Sequence, residues 1–198
     1  MRSAWPRSGA DAGETSRSAW QVSRRLRRSV TLLGRWTAAR FVGCRFVKRV
    51  LLTGMSGTGK SSVVRALVAR GYKAVDADDG WCELCPDGRQ RWREDAIGAL
   101  LDTEDAEVLF VAGCEENQVR FHPRFDHIVL LSAPMEILIE RLATRTDNPY
   151  GKSPEQRRRV LEDLRTVEPL LRRVATQEIR TTMPLPDVVA AILRLVDA

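Results

Sequence analysis

Gly54-Met55-Ser56-Gly57-Thr58-Gly59-Lys60-Ser61 places two glycines, a lysine and a hydroxyl at the spacing that holds a polyphosphate. Glycines let the backbone curl until consecutive N–H groups converge on one anion. A helix starting at the end of the loop turns its positive end toward the same anion. Gly54, Met55, Ser56, Gly57, Thr58, Gly59, Lys60, Ser61 and Ser62 are therefore the expected nucleotide-binding residues, with ATP as donor. Lys60 is expected at the β- and γ-phosphates and the Ser61 hydroxyl at Mg²⁺. The alternative is a glycine-rich turn with a lysine beside it. Context argues against that, because Val50-Leu51-Leu52-Thr53 precedes the loop as an apolar run and a helical pattern follows from Ser61.

A second group is Asp76-Ala77-Asp78-Asp79-Gly80, which follows another short apolar run. In a parallel sheet, neighbouring strands end on the edge that carries the phosphate loop. Two carboxylates there have distinct uses. Asp76 is expected to help hold hydrated Mg²⁺, and Asp78 to orient or deprotonate an acceptor hydroxyl. An acidic turn without function is the competing reading, since Asp and Gly are ordinary turn residues. The run Val111-Ala112-Gly113 ends without an aspartate, so a metal acid has to come from elsewhere. A third group is cationic. Arg141 and Arg145 are four apart and share a helix face. Asn148-Pro149-Tyr150-Gly151 then breaks the helix into a loop suited to a lid. Arg141 and Arg145 are expected to neutralise charge on a moving phosphoryl group. The alternative is a solvated helix end whose cations complement the dipole.

The elements that position these groups alternate. Strands are expected at Arg49–Thr53, Tyr72–Asp76, Val108–Ala112, Ile128–Ser132 and Glu178–Thr182. Helices are expected over Ser61–Arg70, near Arg91–Leu101, from Ser132 through Arg145, from Ser153 onward and at the C-terminus. Such alternation predicts an α/β fold, a parallel sheet with helices on both faces. Gly71 suits a helix end. Ser153-Pro154 with Gln156 is a helix start, and Pro169 is expected to kink or end that helix.

The 198 residues suit one such domain. Net charge is +6 but uneven. Residues 1–48 hold 11 Lys and Arg against Asp11 and Glu14, whereas residues 49–198 hold 21 against 24 acids. Residues 1–48 read as a basic, non-folding extension, with a targeting segment or an over-long gene start as alternatives. Residues 49–198 are the expected domain. Its mild acidity gives no reason to expect a nucleic acid partner, and no apolar run is long enough to span a membrane. A cytoplasmic monomer acting on a small molecule is the expectation. Cys82-Glu83-Leu84-Cys85 lacks the further ligands of a structural zinc site, and Pro86 and Gly88 make it loop rather than a redox helix. His122 and His127 read as surface or packing residues and Trp81 as core.

From about Arg49 to Val196 the chain resembles the shikimate kinase and adenylate kinase-like branch of small P-loop kinases. The likeness rests on Gly54–Ser61, the Asp76-x-Asp78 pair, Trp92-Arg93, Gly113, and Arg141-Leu142-x-x-Arg145-Thr146. It implies a three-layer P-loop NTPase fold with a five-stranded sheet in order 2-3-1-4-5, and Mg²⁺-ATP as donor. It also implies Asp78 on the acceptor hydroxyl, Arg93 and Gly113 on the acceptor, and Arg145 in the lid. The lid departs from the shikimate type, and three expected glycines are reduced to Gly113-Cys114-Glu115. Glu115 and Glu116 are expected to repel a carboxylate acceptor. The implied activity is an ATP-dependent kinase acting on a small molecule. A regulatory ATPase without such an acceptor is the alternative, and a GTPase is disfavoured because no Asn-Lys-x-Asp motif occurs.

Overall fold

Val50, Leu51 and Leu52 are all fully buried, which consecutive strand residues achieve only where both faces of a sheet are covered. The structure, a computed structural model, describes residues 47–86, 88–146 and 148–197. The expected extension over residues 1–48 lies outside them, except that Val47 is buried and Lys48 opens the first strand.

Five strands form one sheet: β1 (Lys48–Thr53), β2 (Lys73–Asp76), β5 (Val108–Ala112), β6 (His127–Ser132) and β7 (Gln177–Arg180). Their order is β2-β5-β1-β6-β7, and every pairing is parallel. Counting only this sheet, the order is 2-3-1-4-5, as the resemblance implied. The central strand is β1, with Leu52 beside Ala112 on one side and Val129 on the other.

Side-chain alternation divides the core. Val50 and Leu52 face α1 (Lys60–Val68) and α6 (Leu185–Val196), packing with Val63, Leu67, Val189 and Ile192. Leu51 faces the other way, toward Ile97 and Leu101 of α2 (Glu94–Leu101) and toward Phe121. A smaller cluster joins Met55, Leu130 and Leu171 under α5 (Glu168–Val174). Each fully buried leucine among these contributes about 2 kcal/mol of transfer free energy. Among the described residues, no helix is long and apolar enough to cross a membrane.

The segment between β2 and α2 differs from the sequence expectation. A helix was expected near Arg91–Leu101, but Gln90–Trp92 is β4, paired antiparallel with β3 (Cys82–Leu84). The helix begins only at Glu94. The cause is tertiary. Trp92 is fully buried, and Asn117 clamps both of its backbone groups, accepting from its N–H at 3.1 Å and donating to its carbonyl at 2.9 Å. This pins β4 as extended chain at the end of β5. After α3 (Met135–Thr144), Ser153 and Gln156 form a reciprocal capping box that starts α4 (Pro154–Thr166). The chain breaks before Pro169, which sits in the first turn of α5, where a missing N–H costs nothing.

Candidate active site

The phosphate loop follows β1, and its geometry explains its glycines. Gly54 has φ +147°, and a Cβ there would lie 2.3 Å from the Leu131 carbonyl oxygen. Only glycine lets the loop cross β6 so closely. Gly59, at φ +93°, is the residue before α1 and makes no side-chain cap. The amides of the first turn, from Lys60 to Ser62, are thus left for an external anion. Thr58 is buried and braces the loop, its hydroxyl donating to the Met55 carbonyl at 2.8 Å. The loop lines a cavity of about 950 Å³ that also takes in Asp76, Asp78, Asp79, Arg141, Arg145 and Asn148. Charge within it is divided, with arginines along the loop side and aspartates at the end of β2.

Lys60 Nζ donates to the Gly54 carbonyl at 2.8 Å and lies 3.9 Å from Asp78 Oδ2. Asp78 is held from behind. Its Oδ1 accepts from the Cys114 amide at 3.2 Å, with the Trp92 indole N–H at 3.5 Å. Gly113 makes this possible by its size, since a Cβ there would lie 2.6 Å from the Trp92 ring and 2.7 Å from Asp78 Oδ1. Asp76 Oδ1 accepts from the Asp78 amide at 3.3 Å. Ser61 and Asp76 line the same cavity. A hydroxyl and a carboxylate are hard oxygen donors, and they fit Mg²⁺, which keeps several waters of its own.

The arginines take different places. Arg141 donates to the Gly57 carbonyl at 3.3 Å and to Thr181, through the hydroxyl at 3.0 Å and the carbonyl at 2.5 Å. It ties the loop to the segment between β7 and α6. Arg145 donates to the Tyr150 carbonyl at 2.6 Å. The lid segment is itself tied down, with Lys152 donating to the carbonyls of Ala143 and Arg145. Of the three residues expected at the acceptor, Asp78 lines this cavity, whereas Arg93 and Gly113 do not. Arg93 is exposed and donates to the Gly80 carbonyl at 3.0 Å. The Gly113 amide donates to the Leu52 carbonyl at 3.1 Å, so its visible role is the space it leaves.

Three residues here escaped the sequence reading as contributors: Trp92 as the buried brace, Asn117 as its clamp, and Thr181 as partner of Arg141. The Glu115 carboxylate, the Asp78 carboxylate and the Cys82 thiol have atoms within 4.8 Å of one another. Glu115 is half-buried. Burial pushes its carboxyl up to about 7, the Asp78 charge adds to that, and Lys60 opposes it. Burial likewise raises the Cys82 thiol to about 11, and that thiol donates to the Ala77 carbonyl at 3.1 Å. Cys85 is free and takes no part. His122 and His127 do not line the cavity.

Two outcomes follow from this packing. Gly113→Ala has to displace Trp92 or Asp78, and if the site is that of an ATP-dependent kinase, the expected outcome is a fall in turnover of about tenfold or more with little change in ATP affinity. Steady-state kinetics beside calorimetric ATP titration check this, and unchanged turnover contradicts it. Glu115 holds its proton more tightly when folded, so it favours the folded state below about 4.5 and loses that contribution as pH rises through about 7. The facing groups are Asp78, Cys82 and Lys60. Glu115→Gln keeps the neutral form, so its melting temperature gains on wild type as pH rises through that window. A pH-independent difference in thermal melts contradicts it.

A protein-family model described as an AAA domain matches residues 50–164. No curated protein matches the chain. Among solved structures, the shikimate kinase of Acinetobacter baumannii, in complex with shikimate, is 19% identical with a TM-score of 0.55, over 77% of this chain and 94% of that one. The shikimate kinase of Bacteroides thetaiotaomicron is 15% identical with a TM-score of 0.57, over 76% and 99%. A gluconokinase from Sinorhizobium meliloti 1021 is 25% identical with a TM-score of 0.52, over 77% and 95%. The glycine loop ahead of α1, the 2-3-1-4-5 sheet and a family match over more than half its length make this chain a member of the AAA-domain family, with the P-loop fold that small-molecule kinases share.

Proposed function

We propose that this protein transfers the γ-phosphoryl group of ATP to a hydroxyl or phosphate of a small molecule. One observation carries the reading: Lys60 Nζ and Asp78 Oδ2 face each other at 3.9 Å at the boundary between loop and carboxylates. A cation at that point holds the donor, and a carboxylate beside it addresses an acceptor. A protein that only bound nucleotide would have no use for a carboxylate braced there by Cys114 and Trp92. The kinase names of the solved structures with this fold support the same reading.

Each residue has a task. The loop amides and Lys60 orient the β- and γ-phosphates. Ser61 and Asp76 would hold Mg²⁺, which when bound would supply charge neutralisation on the phosphate oxygens. Asp78 accepts the proton of the acceptor hydroxyl. The acceptor oxygen bonds to the γ-phosphorus as the bond from that phosphorus to the β–γ bridging oxygen breaks. Arg145 offsets charge on the moving group. Arg141 carries the wall between Gly57 and Thr181, and its guanidinium reaches the phosphates from there. The protein acts as a monomer in the cytoplasm, and residues 1–48 remain apart from the chemistry as a basic extension.

Lys60→Ala is expected to lower turnover by about a hundredfold or more with an unchanged thermal melt. A fully active variant, measured by ADP release in a metabolite panel, contradicts the assignment. Asp78→Asn is expected to lower kcat by about a hundredfold or more with ATP affinity nearly intact. Equal losses in both would move Asp78 to the donor side.

A further inference from the structure

Glu115 is a charged group at the acceptor end that the transfer steps above do not use. It follows the end of β5 by three residues, beside Gly113 and Cys114, whose amide anchors Asp78. Its carboxylate has atoms within 4.8 Å of those of Asp78 and Cys82, and Lys60 is close enough to act on it electrostatically. It therefore sits beside the carboxylate that the proposed reaction places on the acceptor hydroxyl. Among the described residues, nothing donates a hydrogen bond to this carboxylate and no ion pair involves it.

Two of the surrounding charge pairs are internal to the protein. Glu116, its neighbour in sequence, is exposed and pairs with Arg89 at 3.0 Å. Arg120 pairs with Glu94 at 2.8 Å. Arg93 donates to the Gly80 carbonyl. The sequence reading treated Glu115 and Glu116 alike, and the structure separates them. Glu115 lies beside Asp78, and Lys60, the cation that acts on it, is assigned to the donor phosphates by the proposed reaction. Cys82 supplies no opposing charge, and its thiol is directed at the Ala77 carbonyl, so the trio does not read as a metal centre.

We propose that Glu115 selects the acceptor by charge: the site takes a neutral or cationic hydroxyl compound, such as a polyol or an amino alcohol, and rejects acceptors bearing a carboxylate or phosphate beside the reacting hydroxyl. This rests on the phosphoryl-transfer reading and narrows it. A hydroxyl or ammonium next to the reacting oxygen gives Glu115 the donor it lacks. An anion there meets Asp78 and Glu115 side by side, which is discrimination through an unfavourable contact with the wrong ligand. The raised proton affinity of Glu115 agrees with this, because a carboxyl shared between two protonation states near neutral pH either donates to a hydroxyl or accepts from an ammonium.

The test uses the full chain with Mg²⁺-ATP and acceptors matched in skeleton: sugar alcohols, amino sugars and amino alcohols, the corresponding aldonates, and sugar phosphates. ADP release gives the rate, and phosphorus NMR identifies the product. Wild type is expected to show kcat/KM about tenfold or more higher for neutral or cationic members than for their anionic counterparts. Glu115→Gln is expected to shrink that ratio by about tenfold, whereas Glu116→Gln leaves it in place. Preference of wild type for an anionic acceptor overturns the proposal, as does a ratio unchanged in Glu115→Gln. Either result leaves the kinase reading standing. ADP release with no acceptor of any class sinks both.

Discussion

The contact on which this site depends is the approach of Lys60 to Asp78 at 3.9 Å. Neither residue is free to choose its place. Lys60 is held by the Gly54 carbonyl, and Gly54 is held by its passage over Leu131. Asp78 is held by the Cys114 amide and the Trp92 indole, and both converge on the Cβ-less Gly113. The loops after three adjacent strands, β1, β2 and β5, thus meet at one point on the sheet edge. In a parallel sheet this is where strand ends coincide, so the fold supplies proximity and the glycines supply the last few tenths of an ångström.

Much of this was legible in the residues. The loop motif is defined by backbone requirements, and those requirements survive any change of surroundings. The apolar runs of β1, β5 and β6 mark strands because most of their residues are buried, and burial leaves a mark on composition. The β3–β4 hairpin left no such mark. Its strands are three residues long, Glu83 faces Arg91 across the pair, and the Leu84 side chain is exposed. Its conformation is imposed from outside by Asn117 and by the burial of Trp92, and neither relation has a local period. The same gap explains Trp92-Arg93. The resemblance places Arg93 on the acceptor, yet its guanidinium turns to the Gly80 carbonyl while Trp92 beside it is core.

Glu115 and Glu116 show the limit most clearly. Adjacent in sequence and identical in chemistry, they differ only in direction. The chain after β5 enters a short 3₁₀ turn, Glu116–Arg120, so Glu115 still points along the sheet edge while Glu116 has already swung out to Arg89. Sequence reasoning could name the charge. It could not assign it to the residue that faces Asp78, because that depends on where one strand stops relative to its neighbour.

The division of charge within the cavity has a consequence for how such a site works. Arginines and Lys60 on the loop side attract a polyanion from a distance, since fields in a low-dielectric cleft are weakly screened. Carboxylates at the end of β2 and after β5 would repel the same polyanion if they lay beneath it, so in the proposed reaction the donor keeps to the loop side and presents its terminal phosphate at the boundary. In the proposed reaction Asp78 is then both a limit to the donor and the first group an acceptor meets. Its strong bracing follows from that dual position. A carboxylate left mobile would fold onto Lys60 and neutralise it, whereas Oδ1 fixed by two N–H groups leaves Oδ2 at 3.9 Å, longer than a good charge-assisted hydrogen bond. Separation at that distance keeps Lys60 available to phosphate and keeps Asp78 available to a proton.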